Sequence, residues 1–292
     1  MAAHILAPIA QMNTTLLTTV VHSTLFPYPL LSTLHAARIS LVHRALTKRA
    51  QDGLKPSERK SVTWAYDIAG YLIMCWGGAL ITHYILGQTP IQLISIHPFL
   101  NYVGVYLFIT FALQFVSAPA AKTIDTILIL IDGSLRMQAV IGSIALVTSN
   151  SNKLISTSLL LQVLLGTIGA TGGGQLAGML NIHSPLGWSL QTPPFLRATT
   201  IVEVIDIIMA FICSVIFGLT TLSHPSYAPV LAYCYNNTGK PLFSPLGARA
   251  ACTLLFATGF AYRTIVLHWL PVTTGNGGIK DGIKSKSNGT RR

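Results

Sequence analysis

Five of the eight acidic residues of this 292-residue chain fall inside apolar stretches: Asp67, Asp125, Asp132, Glu203 and Asp206. Arg38, Arg136, Arg249 and Arg263 lie in such stretches too. A charge at the centre of a membrane helix costs about 2.5–3.5 kcal/mol on insertion scales, so a set of this size implies ion pairs, water or function. Asp132 and Arg136 are four apart, share a helix face and are expected to pair locally. Glu203 and Asp206 are three apart and also share a face. Two like charges there repel unless a cation, an arginine or a proton intervenes. For any single carboxylate, a structural ion pair is the simpler reading. His35 and His43 share a face as well, but two histidines alone do not make a ligand set.

The second unusual feature is glycine. GTIGATGGGQLAG, residues 166–178, carries Gly172, Gly173 and Gly174 in a row inside a long apolar run. Gly77 and Gly78 form a pair in an earlier run. Each glycine costs a helix about 1 kcal/mol relative to alanine. Close packing of helices through small residues accounts for Gly166, Gly169 and Gly173. It does not require three adjacent glycines, because sequence neighbours face different ways. An unwound or kinked point beside water is the alternative, since irregular backbone at membrane depth survives only where protein buries it or water bathes it. Thr171 and Gln175 would add polar groups to such a path.

The elements that must position these residues are membrane spans. The chain is 51% hydrophobic and only 9% charged, against roughly a quarter charged in soluble domains. Its apolar blocks approach the ~20 residues that cross a bilayer. We read seven spans, near 28–46, 62–86, 97–116, 122–148, 154–180, 196–222 and 247–270. The expected fold is all-α: a polytopic integral membrane protein with seven transmembrane helices. Residues 1–27 form an N-terminal segment, and 271–292 a disordered basic tail. Arg38 precedes Gly77–Gly78 at about the distance by which Arg136 precedes Gly172. This suggests two inverted three-helix repeats, 28–116 and 122–222, followed by the seventh helix 247–270. Inverted repeats build many transport proteins, with the permeation site near mid-membrane.

The net charge of +11 concentrates in the loop 47–61 and in the tail. Each adjoins an apolar block, which argues for membrane orientation rather than nucleic acid. The positive-inside rule then places both on the cytosolic side. No Lys or Arg precedes Arg38, which suits a luminal N-terminus. The sequons at Asn13 and Asn236 would be luminal glycosylation candidates, and that at Asn288 cytosolic. The four cysteines form no Cys-x-x-C, so no metal or redox site is expected. No hydrolase, zincin or acyltransferase motif is present, so no enzyme is expected. The weakest rival is a membrane-embedded enzyme using Glu203 and Asp206.

Several motifs resemble one family in order and spacing. Leu25-Phe26-Pro27 opens the first span. Trp64, Cys75-Trp76-Gly77-Gly78 and Ile85-Leu86-Gly87-Gln88-Thr89-Pro90 mark the second. VYLFITF at 105–111 lies in the third, and ATGGGQLAGML at 170–180 in the fifth. Over about residues 25–270 this resembles the trimeric intracellular cation channels. The resemblance implies a homotrimer in the endoplasmic reticulum or nuclear envelope, conducting potassium ions as counter-charge for calcium release. It maps the pore past kinked second and fifth spans, hence Gly77, Gly78 and Gly172–Gly174, with Asp132, Arg136, Glu203 and Asp206 as pore or gating charges. The family contacts a phosphoinositide head group through a lysine and an arginine of the fourth span. Arg136 matches that arginine, but Asp132 stands where the lysine would be, which should weaken binding of anionic membrane lipids. A non-conducting scaffold that keeps the fold and uses its basic segments for interaction is the alternative function.

Overall fold

A computed structural model of the chain describes residues 2–55, 57, 62–116, 120–235 and 240–270. The tail 271–292, Arg59, Lys60 and the sequons at Asn236 and Asn288 lie outside the described residues. The protein is mostly helical. It opens with α1 (Ala2–Thr18) and a small hairpin, β1 (Val20–His22) and β2 (Phe26–Pro29). There follow α2 (Leu30–Asp52), α3 (Trp64–Ile85), α4 (Ile91–Ile94) and α5 (His97–Ala112). Next come α6 (Ala121–Ile127), α7 (Ile129–Thr148), α8 (Lys153–Ser156), α9 (Leu159–Met179) and α10 (Pro194–Arg197). The last are α11 (Ile201–Thr221), α12 (Ala228–Tyr235) and α13 (Pro245–Thr264), which ends in a π-helical turn, Ile265–Trp269.

Among the described residues five helices are long and apolar enough to cross a membrane: α3, α7, α9, α11 and α13 with its π-turn. They coincide with five of the expected spans. The expected spans 28–46 and 97–116 fall on α2 and α5. Helix α2 carries Arg38, Arg44, Lys48 and Arg49, and α5 has only 16 residues.

Three of the long helices begin where a side chain satisfies a free N–H group of the first turn. Thr63 caps α3 through Tyr66 N–H, Ser158 caps α9 through Leu161 N–H, and Ser244 caps α13 through Gly247 N–H. Pro245 occupies the first position of α13, where its missing N–H does no harm. The main core lies among α7, α11 and α13. Met137, Val140 and Ile144 meet Met209, Ala210, Cys213 and Phe217, and these meet Cys252, Phe256 and Phe260.

The glycines do not break their helices. Helix α9 is continuous through Gly172, Gly173 and Gly174, and α3 through Gly77 and Gly78. The expected unwound point is therefore corrected: these glycines bring two backbones together. A Cβ on Gly78 would lie 2.5 Å from the Gly169 carbonyl oxygen, and one on Gly172 would lie 2.9 Å from the Gly78 Cα. A Cβ on Gly77 would lie 3.0 Å from the Gly173 Cα, and one on Gly173 would collide with the Met74 carbonyl. Dispersion between closely packed backbones replaces what each helix loses in propensity.

Most of the segment 1–27 is α1. Asn13 is fully buried; it donates to Thr253 Oγ1 at 3.2 Å and accepts from Ser134 Oγ at 2.7 Å. An amide enclosed between three helices has no room for a glycan, so the glycosylation reading of Asn13 fails.

Candidate functional site: a charged cleft beside the glycine crossing

Helices α2 and α5 form a pair joined by polar contacts. Thr33 Oγ1 donates to Asn101 Oδ1 at 3.2 Å, His35 Nδ1 meets Tyr102 Oη at 2.9 Å, and Arg44 Nε donates to Thr110 Oγ1 at 2.9 Å. Between α2 and the bundle of α3, α7, α9 and α13 lies a cleft of about 1650 Å³. Its wall includes Gly78, Gly173, Gly174, Asp132, Arg136 and Asp206. Six of the nine residues singled out from the sequence thus face one cavity. Gly77 and Gly172 do not line it; they belong to the packed side of the crossing.

Glu203 does not line it either. It is exposed in the first turn of α11, where its Oε2 accepts from Thr199 N–H at 2.8 Å. A carboxylate there satisfies a free N–H and complements the positive helix end. Glu203 and Asp206 are thus not brought together at the cleft: Asp206 Oδ1 accepts from Ile207 N–H at 3.0 Å and lines the cleft without Glu203.

The expected Asp132–Arg136 pair is not formed. Asp132 is taken by Arg38 of α2, whose Nε lies 3.2 Å from each carboxylate oxygen. Arg38 Nη2 also holds Asp125 Oδ1 at 2.6 Å, and His268 Nε2 sits 3.0 Å from Asp125 Oδ2. One guanidinium therefore bridges α2 to α6 and α7, with the π-turn closing the cluster. The planar fork of arginine allows this double engagement. Arg136 turns the other way and donates to the Ala170 carbonyl of α9. Gln175, expected beside a water path, does line the cleft and accepts Phe195 N–H at 3.0 Å. Thr171 is buried and bonds back to Thr167 within its own helix.

A second polar cluster was only half visible in the sequence. His43 Nε2 meets Asp67 Oδ1 at 2.9 Å, Tyr106 Oη donates to Asp67 Oδ2, and Arg44 Nη2 is 3.8 Å from the same oxygen. Tyr71 stacks on Tyr106 at 4.6 Å. The His183 ring, from the loop after α9, lies 5.0 Å from that of His43. Burial, with His43 beside it, pulls the His183 imidazole down to about 4. Period and spacing could have suggested the α2–α3 contact, but not the arrival of His183.

Arg249 is buried in α13 and reaches Gln138 Oε1 at 2.5 Å, while its Nε and Nη2 make no hydrogen bond. Among the described residues no three His, Cys, Asp or Glu side chains gather in a way that could hold a metal ion. Compared with known proteins, the chain matches no family model, no curated protein and no solved structure.

Proposed function

We propose that this chain is a membrane channel for monovalent cations, potassium foremost, with the cleft beside the α3–α9 crossing as its conducting path. The observation that carries this reading is the cleft itself: ionised and glycine-lined, within a bundle of membrane-length apolar helices. Ionisable groups at that depth are costly unless they meet partners or water. Asp52 and Asp206 are the cleft carboxylates without an arginine partner among the described residues; Asp206, on a membrane-length helix, is assigned the role of drawing cations in. Asp125 and Asp132 share the single positive charge of Arg38.

In this reading α2 and α5 cross the membrane with the five long helices, and the two three-helix repeats meet at the glycine crossing. Following the resemblance, the channel works as a homotrimer in the endoplasmic reticulum or nuclear envelope, with the loop 47–61 in the cytosol, and returns positive charge as calcium leaves the store. Phosphoinositide control through Arg136 is not part of the proposal. Its guanidinium is engaged by Ala170, and Asp132 removes a neighbouring positive charge.

One observation favours a second reading. Arg38, Arg44, Lys48, Arg49, Arg136 and Arg263 line the cleft against Asp52, Asp125, Asp132 and Asp206, a balance that suits an anion path. Planar-bilayer recording of the purified protein in asymmetric potassium chloride separates the two by the sign of the reversal potential. Current is also expected to be blocked by a charged thiol reagent at Gly174→Cys in a Cys75→Ser background, because Gly174 faces open space. Silence at all voltages from a correctly folded protein would leave the scaffold reading in possession.

A further inference from the structure

Helix α1 has the properties of a membrane helix, although the flanking sequence reads as a leader to the first span. No Asp, Glu, Lys or Arg occurs before Arg38. Its 17 residues reach about 25 Å at 1.5 Å per residue, against ~30 Å for the hydrocarbon core. Its contacts set its depth. Asn13 is held by Ser134 of α7 and Thr253 of α13, both on membrane-length apolar helices. Thr253 lies about 12 Å along α13 from Pro245. From Asn13 back to Ala2 the helix runs about 16 Å further, so its far end approaches the opposite face.

Direction follows from the helix ends. Leu30 N–H donates to the Thr19 carbonyl at 2.8 Å, tying the end of α1 to the start of α2. The start of α2 meets the start of α5 through Ser32, Thr33 and Asn101. The end of α3 packs there with the end of α7 and the start of α9, through Leu86, Val147 and Leu165. Ser223, after α11, reaches Gln162 of α9 at 2.9 Å, and Leu242, before α13, donates to the Thr220 carbonyl. The hairpin and the segments 86–96, 149–158, 222–235 and 240–244 therefore share one side, and the segments 47–55 and 180–200 the other.

We infer that α1 crosses the membrane as an additional helix, clamped at Asn13 against α7 and α13, so that the chain ahead of α1 lies on the same side as the loop 47–61. This makes α1 a built-in partner for the face of α7 that carries Ser134, two residues past Asp132. It also lets Leu17 contribute to the cleft wall. The inference does not depend on what the cleft conducts.

The test is sidedness of thiol labelling in sealed microsomes with a membrane-impermeant maleimide. Cys234 is exposed on α12 and marks the hairpin side. Gly53→Cys marks the loop side. In a Cys234→Ser background, a cysteine appended ahead of Met1 is expected to label with the same sidedness as Gly53→Cys and opposite to native Cys234. Labelling with the sidedness of Cys234 would overturn the inference. So would labelling that is absent both in sealed microsomes and in microsomes opened by freeze–thaw and appears only on detergent solubilisation, because α1 would then end inside the bilayer. Extending the terminus leaves every packed residue intact, so the result reports topology rather than folding.

Discussion

Helix α9 has two faces that treat adjacent glycines in opposite ways. Gly172 and Gly173 are buried against α3, in a crossing with room for hydrogen and nothing larger. Gly174, the next residue, is exposed to the cleft, and a Cβ there would meet nothing within 4 Å. The first face is held by backbone contact, enclosed at Gly172 and reaching the edge of the cleft at Gly173. The second opens on charges that must find partners or water. The difference shows that a glycine run can serve a helix without breaking it, because each residue answers to the surface that its own azimuth presents.

The contrast breaks most sharply at Gly173. Gly173→Leu should leave no monodisperse protein on size exclusion, since its side chain has to displace the backbone of Met74; even modest overpacking costs about 1–3 kcal/mol. Gly174→Ala should retain the fold and raise thermal stability, by up to about 1 kcal/mol from helix propensity. Equal damage at both sites would abolish the distinction between the two faces.

On the wet face, Arg38→Met should come next in size. It leaves Asp125 and Asp132 without the guanidinium they share, with only His268 beside Asp125. We expect a loss of ~1–3 kcal/mol in thermal or denaturant unfolding, below the ~3–5 kcal/mol of a fully enclosed pair because water reaches the cluster. The double variant Arg38→Met, Asp132→Asn should recover part of it, as a coupled pair must. A full additive loss would show that the pair is not coupled.

Asp206→Asn should leave unfolding unchanged and move the reversal potential toward that of a non-selective pore. An unchanged potential would remove Asp206 from the path. The smallest expected effect concerns His183. Its imidazole is held near 4 by burial, below the ordinary value near 6.5, so the unfolded chain binds its proton first. Stability is then indifferent to this group above about pH 6.5, and declines as pH falls toward 4. His183→Gln should flatten that part of a melting-temperature profile; an unaltered slope would assign the acid sensitivity elsewhere.

Much of this architecture was legible in the sequence, and the misses have physical causes. The five long helices announce themselves as apolar blocks of bilayer length. Six of the nine chosen site residues reached the cleft because charges and glycines are both exceptional in such blocks. The helix break was not legible, because a glycine run costs the same whether water or a partner backbone lies beside it. The Asp132–Arg136 pair was geometrically available, but Arg38, 94 residues away in sequence, offered a bidentate fork to Asp132 and an arm to Asp125. Helix α1 was obscured by Pro8 and by the polar run Asn13-Thr14-Thr15, which lowers hydropathy. Its meaning appears only when Ser134 and Thr253 are seen to receive Asn13.

The meshing of α3 with α9 also bears on how the molecule moves. With Gly77 and Gly78 set against Gly169, Gly172 and Gly173, turning either helix by one residue would bring a side chain to a point where only hydrogen fits. The two helices must therefore travel as one rigid body. Helices α2 and α5 face the cleft through long side chains that can change rotamer, and α2 makes no comparable backbone contact across it. Breathing of the cavity on the microsecond-to-millisecond scale of collective helix motions then has to stretch two sets of side-chain contacts made by α2 and α5: the Asp67 cluster on α3 and the Arg38 bridge to α6 and α7.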